Sequence, residues 1–513
     1  MSHTDVIAHS PWVEFALPDY PALDRDLEVD VVVVGGGVAG LTTAYLLRRE
    51  GLRVALIERD RLACADTART TAHLTCVTDL RLRDLCDRFG KEAARTCWQA
   101  GAAAVDEIER LVRETGVDCG FRRVAGFLHG PLRELDDKER EGLQEDAALA
   151  AELGFDASFL EQVPGIGRPG VRFERQARFH PRRYLAALAQ AIPGEGSHVF
   201  ERTALEEAGA EYVRANGRKL RCGYLVIATH NPMAGRAGAL KATLLQTKLA
   251  LYTTYVLGAR LPAGTIEPGV YWDTSDPYYY LRVDEGSDHQ YAIFGGEDVK
   301  TGQEGDNLEV FTRLQARLHE LLPAAELRHR WMGQVIETDD GLPFIGENAE
   351  GEFIATGFAG NGFTFATLGA TMARDRLLGR ENPCFDLFRV DRKPFHGGAW
   401  RYLRENVDYP YHLLRDRMKP AQGETLAELG RGEGKILKLE GDKVAAYRDE
   451  SGAVTLLSPV CTHLGCLVRW NAADSSWDCP CHGSRFRPSG EVLSGPAERP
   501  LAPVQATVRA TSR

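Results

Sequence analysis

Val29-Asp30-Val31-Val32-Val33-Val34-Gly35-Gly36-Gly37-Val38-Ala39-Gly40 is the stretch that decides the fold. β-Branched residues favour extended chain, and an apolar run without polar alternation suits a strand covered on both faces. The pattern predicts a strand over Val29–Val34, a glycine turn, a helix from about Ala39 to Arg49 and a second strand over Arg53–Glu58. That is the opening of a β-α-β unit. The glycines fit G-x-G-x-x-G between strand and helix, where backbone can approach a pyrophosphate and the helix N-terminus meets its charge. Glu58 ends the second strand, where a carboxylate takes a ribose 2′-hydroxyl and disfavours a 2′-phosphate. Gly35, Gly37, Val38, Ala39, Gly40 and Glu58 are therefore candidate dinucleotide contacts.

Around this nucleus the chain is long. Its 513 residues exceed what one hydrophobic core supports, so several domains are expected. With 44% apolar and 26% charged residues it can bury a sizeable core, and a net charge of −11 argues against a nucleic-acid binder. The first thirty residues lack the cationic start and apolar run of a signal peptide. The apolar stretch Val29–Leu47 is broken by glycines, so no membrane span is expected, and a cytoplasmic location follows by default.

Farther along, residues from about Leu80 to Leu153 have the Ala, Glu and Arg texture of helices. Strands are expected at Tyr224–Ala228, Leu249–Val256, Tyr278–Val283, Tyr291–Phe294 and Glu352–Ala355, the last followed by the turn Gly357-Phe358-Ala359-Gly360-Asn361-Gly362. Past Asn382 periodicity fades, and the stretch up to about Gln422 reads as a linker wrapping over the first body. Glu424 to Arg513 alternates short strands with Gly and Pro turns, the texture of a small all-β domain.

Seven cysteines are scattered from Cys64 to Cys384, whereas four crowd between Cys461 and Cys481. Scattered cysteines in a large protein behave as small hydrophobes. The crowded group forms Cys461-Thr462-His463-Leu464-Gly465-Cys466 and Cys479-Pro480-Cys481-His482-Gly483-Ser484, C-x-H on one loop and C-x-x-H on the other. Two thiolates can hold one iron and two imidazoles a second; two Cys and two His also suit tetrahedral zinc. Zinc fingers and ribbons seldom use C-x-H on one arm, and zinc leaves Cys466 and Cys481, which sit at matching places on the loops, without a role.

These loops resemble Rieske [2Fe–2S] centres. The resemblance implies Cys461, His463, Cys479 and His482 as cluster ligands, a Cys466–Cys481 disulfide as in high-potential members, and Gly495-Pro496-Ala497 as the loop covering the cluster. It also implies that Ser484 donates to a cluster sulfur and raises the potential. High-potential members add a tyrosine where Phe486 stands, so this chain lacks that hydroxyl.

The remainder resembles the glycine/D-amino-acid oxidase (DAO) family of FAD-dependent oxidoreductases over about Val29 to Asp386. The residues that carry this are the glycine motif, Leu225-Val226-Ile227-Ala228-Thr229-His230, and Glu337-Thr338-Asp339-Asp340-Gly341-Leu342-Pro343-Phe344-Ile345-Gly346 followed by Gly357–Gly362. The whole chain looks like Rieske-bearing, γ-glutamylputrescine oxidoreductase-like members. The resemblance implies FAD, with contacts from Thr229, Gly357, Gly360, Asn361 and Gly362. Arg69, Thr70 and Thr71, within Thr67–His73, fall where the family has a loop near the cofactor. His73 and Cys64 are the nearest residues for covalent attachment, but noncovalent FAD is the reading.

The implied architecture is an α/β Rossmann-type FAD-binding domain with an interleaved α+β substrate domain and a C-terminal all-β Rieske domain. The expected bounds are an N-terminal arm 1–28; FAD-binding parts 29–80, 171–240 and 335–386; substrate parts 81–170 and 241–334; a linker 387–423; and the Rieske domain 424–513. The implied activity is oxidation of a small amine or amino acid at its C–N bond by hydride transfer to flavin. Electrons then pass singly to the cluster and on to an unidentified acceptor. Tyr280 and Arg282 are the catalytic candidates: alternate strand residues share a face, and an arginine beside a tyrosine suits a substrate carboxylate. An edge strand with a solvated arginine is the plainer alternative. Lys248 and His230 are weaker candidates, and Trp331 reads as core. The competing functions are an oxygen-using oxidase with a structural cluster, and an electron carrier or redox sensor without its own substrate. A Rieske oxygenase would need a two-histidine, one-carboxylate iron site, for which no close histidine pair exists outside the cluster loops.

Overall fold

The computed structural model describes residues 6–132, 137–392, 415 and 417–504. They form two compact units, one of residues 1–249, 254–298 and 313–399, the other of 250–253, 299–312 and 400–513. Most of the expected linker, 393–414 and 416, lies outside the described residues.

The first unit is built around a six-stranded sheet in the order Phe344–Ala349, Glu352–Thr356, Tyr224–Ile227, Val31–Val34, Val54–Ile57, His198–Phe200. Five of these strands run parallel, and only Phe344–Ala349 is reversed. Val31 to Val34 are all at most 5% exposed, because the strand is central and covered on both faces. Each such side chain contributes roughly 1.5–3 kcal/mol when taken from water. The following helix, Val38–Arg49, carries Arg48 and Arg49 in its last turn, where they complement the helix dipole. It shares one apolar core with the helix Gly362–Leu377 and with the long helix Lys91–Thr115.

A nine-stranded sheet lies in the order Glu326–Thr338, Leu249–Pro262, His289–Lys300, Tyr280–Glu285, Gly269–Asp273, Arg122–His129, Gly170–Arg178, His73–Leu74, with Ala157–Leu160 also on Gly170–Arg178. Two expectations change here. The helical reading of Leu80–Leu153 misses the strand Arg122–His129, which lies between helices and is held by strands distant in sequence. The stretch 171–178, expected with the FAD-binding parts, pairs in this sheet instead.

The second unit contains a three-stranded sheet, Glu433–Leu439, Asp442–Arg448 and Val454–Leu457, and a four-stranded one, Arg469–Asn471, Ser476–Asp478, Arg485–Phe486 and Val492–Ser494. Ala445, Leu457, Val468, Trp477 and Phe486 fill its core together with Cys461, Cys466 and Cys479. Among the described residues no helix is long and apolar enough to cross a membrane.

Candidate cofactor and substrate sites

The parallel register aligns the strand ends: Val34 pairs with Ile57 and Ile227, and Ile227 with Ile354. Gly35, Glu58, Thr229 and Gly357 therefore emerge at one edge of the sheet, the carboxyl edge where open α/β sheets bind ligands. The glycines there are sterically required. A Cβ on Gly40 would lie 1.8 Å from the Gly35 carbonyl oxygen, and one on Gly35, whose φ is +108°, would lie 2.4 Å from that of Ala228. Gly37 is the N-cap of the helix and offers no capping side chain, so the first N–H groups of Val38, Ala39 and Gly40 keep that end open to an anion. The Glu58 carboxylate accepts the Gly36 N–H at 2.6 Å and the Asp60 N–H at 2.8 Å. Burial raises its pKa, and those two N–H groups oppose the rise. A dinucleotide fits this donor set: backbone close enough for phosphate, and a fixed acceptor for a ribose hydroxyl.

The turn at Gly357–Gly362 leads into the helix Gly362–Leu377, with Asn361 at its N-cap. Asn361 is 3% exposed; its amide donates to the Thr75 and Val77 carbonyls, while its Oδ1 has no partner among the described residues. Thr229 sits beside Gly35, and its hydroxyl donates to the Asn231 carbonyl at 2.6 Å. Thr71 Oγ1 bonds His73 Nδ1 at 2.9 Å, and the Arg69 guanidinium donates to the Met332 carbonyl at 3.1 Å. Burial, with the Arg282 charge adding, pulls the His73 pKa down to about 3, so its ring is neutral.

Arg282 is not where a substrate carboxylate could reach it. Its strand is interior, between His289–Lys300 and Gly269–Asp273, and the side chain is 1% exposed. The guanidinium forks onto Asp284 at 2.8 Å twice and donates to the carbonyls of Thr71, Ala72 and Phe179. Both the substrate-clamp and the solvated-edge readings give way to a buried structural arginine. Lys248 lies over the Phe344 ring at 5.5 Å, and His230 Nε2 stands 3.8 Å from Asp66. Trp331 is buried at 4% and donates to the Arg69 carbonyl.

Tyr280 keeps company that the sequence did not announce. Its hydroxyl bonds Thr254 Oγ1 at 2.7 Å, and its ring lies 5.8 Å from His73 and 5.9 Å from Tyr278. Thr254 also hydrogen-bonds Asp298, whose buried Oδ1 has no hydrogen-bond partner among the described residues. Tyr278 hydrogen-bonds Asp79, which accepts the Gly360 N–H at 2.7 Å. The Asp79 side chain keeps accessible surface beside Gly360 and Tyr278. Burial raises both carboxyls, Asp298 to about 7. Asp79 and Asp298 were absent from the sequence reading because no motif marks them.

In the second unit the two cysteine loops share one backbone plan. Cys461 N–H donates to Cys466 O and Cys479 N–H to Ser484 O, each at 2.8 Å; Gly465 N–H returns to Cys461 O and Gly483 N–H to Cys479 O, each at 3.0 Å. Gly465 and Gly483 supply the left-handed φ, +82° and +71°. In this plan Cys466 corresponds to Ser484 and not to Cys481, so the two cysteines are not at matching places. They are nevertheless joined, in a disulfide with Cα atoms 6.5 Å apart.

The ligand set is assembled. Cys461 and Cys479 share a hydrogen bond, and the rings of His463 and His482 lie 4.9 Å apart at 87°. The Cys479 thiol beside it pulls Cys461 down to about 7, helped by the N–H groups of His463 and Leu464 and the Ser484 hydroxyl. Burial keeps both imidazoles neutral, with pKa values near about 4. Two thiols backed by N–H donors, facing two neutral imidazoles, fit a Rieske cluster. Ser484, 0% exposed, also accepts the Ala497 N–H at 3.1 Å, and a Cβ on Gly495 would meet Ser484 Cα at 2.6 Å, so Gly495–Ala497 packs on the second loop.

Comparison with known proteins agrees. The family model FAD dependent oxidoreductase (DAO) matches residues 30–376, and the Rieske [2Fe-2S] domain model matches 424–505. The putative Rieske 2Fe-2S iron-sulfur protein YhfW of Bacillus subtilis (strain 168) is 31% identical over 494 residues, covering 94% of this chain and 95% of that protein. Gamma-glutamylputrescine oxidoreductase of Escherichia coli (strain K12) is 22% identical over 419 residues, 78% of this chain and 95% of its own length. The crystal structure of glycine oxidase from Geobacillus kaustophilus aligns with a TM-score of 0.59 at 19% identity, covering 72% of this chain and 99% of that one, which shows the shared fold. The chain belongs to the DAO family of FAD-dependent oxidoreductases and carries a Rieske [2Fe–2S] domain at its C-terminal end.

Proposed function

We propose that this oxidoreductase dehydrogenates a cationic amine at its C–N bond and that its electrons leave singly through the cluster to an acceptor other than oxygen. When bound, FAD supplies a two-electron hydride acceptor and the cluster a one-electron carrier. The observation behind the amine reading is the group formed by Asp79, Asp298, Tyr278 and Tyr280 at the Gly357–Gly362 turn. Carboxylates and tyrosine faces attract an ammonium group. Asp298, at about 7, is matched to take the ammonium proton and leave the nitrogen lone pair free. Asp79, fixed by the Gly360 N–H and Tyr278, holds the cation in place.

With Arg282 committed to Asp284 and to backbone, the site favours an amine without an α-carboxylate. Covalent linkage of the two redox domains supports the relay, since it keeps their mutual effective concentration high. The seven cysteines from Cys64 to Cys384 are free thiols, which supports a reducing, cytoplasmic setting. Anaerobic screening of amines and amino acids for flavin bleaching tests the reading. Bleaching by alkylamines or diamines is expected; bleaching by α-amino acids alone would overturn the substrate class.

A further inference from the structure

Five consecutive carbonyls, from Ala68 to Ala72, each accept a hydrogen bond from outside their loop. Ser10 Oγ donates to Ala68 at 2.5 Å, Trp331 Nε1 to Arg69 at 2.7 Å and Trp12 Nε1 to Thr70 at 2.7 Å. Arg282 Nη1 donates to both Thr71, at 3.1 Å, and Ala72, at 3.0 Å. Indole and guanidinium groups donate and cannot accept, so three of the four side chains act here only as donors.

The donors also brace one another. The Arg282 guanidinium lies 5.2 Å over the Trp12 ring, Trp12 and Trp331 share one apolar cluster, and Arg182 donates to the Trp12 carbonyl at 3.4 Å. Ser10 and Trp12 come from the N-terminal segment, whose Ile7 forms a parallel bridge with His329 in the strand Glu326–Thr338.

A loop serving a pyrophosphate cannot face it with carbonyl oxygens, which repel anions; its N–H groups and side chains must do so. We propose that Ser10, Trp12, Trp331 and Arg282 are positioning residues for FAD: they draw the carbonyls of residues 68–72 to one side, so that the opposite side of the 69–71 loop faces the cofactor. The N-terminal segment is then part of the flavin site although no motif places it there. This rests on the reading that the 69–71 loop contacts FAD.

The test uses the full chain stripped of FAD and titrated with FAD, following quenching of flavin fluorescence. Ser10→Ala and Trp12→Phe each delete one donor; Arg282 is spared because its loss would also strand Asp284. Each variant should raise the FAD dissociation constant about fivefold, the worth of one hydrogen bond, and should also lower apoprotein melting, because the deleted bonds are present without FAD. Glu14→Gln, whose bond is to His329 and not to the loop, should leave FAD affinity as it is. An Arg69→Ala, Thr71→Ala variant tests the underlying contact. If it weakens FAD while Ser10→Ala and Trp12→Phe stay within twofold of the parent, the positioning role is wrong and the contact stands. If none of the variants weakens FAD, both are wrong.

Discussion

Replacing Asp298 by asparagine should remove a pH dependence of apoprotein stability between about pH 4 and pH 7. Burial lifts this carboxyl from 3.8 to about 7; a hydrogen bond with Thr254 opposes the rise, and the Asp79 and Glu297 charges add to it. Glu297 is itself paired with Arg313 at 3.2 Å, so its contribution is partly neutralised. A carboxyl raised in the folded state keeps a proton that the unfolded chain has already released. Its stabilising share is therefore full below the unfolded pKa and lost as pH climbs through the folded one. About three units at ~1.4 kcal/mol each gives about 4 kcal/mol. Because the side chain keeps some accessible surface, about 2–4 kcal/mol is the expected range. Urea unfolding of the FAD-free parent and Asp298→Asn proteins, followed by tryptophan fluorescence from pH 4.5 to 8, measures the difference directly. The variant should gain on the parent steadily as pH rises. A gap constant to within 1 kcal/mol across the range would refute the buried, protonated carboxyl and its role as proton acceptor.

Three further outcomes follow from the same geometry. Gly40→Ala places a Cβ 1.8 Å from the Gly35 carbonyl oxygen, so strand and helix must separate by more than an ångström; calorimetry should show about 1–3 kcal/mol lost and FAD absent from purified protein. Opening the Cys466–Cys481 link with a double serine variant frees a loop of sequence separation 15, and denaturant unfolding of the cluster-bearing unit should fall by about 3 kcal/mol, with cluster loss read from visible absorption. Ser484→Ala removes the hydroxyl bonded to Cys461, and redox titration followed by paramagnetic resonance should find the cluster potential lower by about 40 mV, one hydrogen bond's worth for a one-electron couple.

What the sequence made legible was local. Val31–Val34 and its glycines specify a strand, a turn and a helix within a dozen residues, and the strand ends place Glu58 without further information. The cluster loops declare themselves in the same way, because four ligands lie within two short segments. The strand Arg122–His129 was hidden because its partners, Gly170–Arg178 and Gly269–Asp273, are remote and its flanks are strongly helical. Arg282 misled for a related reason: alternation along a strand tells which face a side chain takes, not whether that face meets substrate or the carbonyls of Thr71, Ala72 and Phe179. Asp79, in a loop, and Asp298, on the strand His289–Lys300, are remote in the chain and come near one another only in the fold. Cys466 and Cys481 looked equivalent by count along the loops, whereas the backbone bonds pair Cys466 with Ser484.

Rapid anaerobic mixing of the holoprotein with a substrate amine, monitored at flavin and cluster wavelengths, tests the central claim most directly. Flavin bleaching should come first and cluster bleaching second, at a rate independent of protein concentration. A cluster that stays oxidised while the flavin cycles only with oxygen, releasing one hydrogen peroxide per amine, would contradict the account.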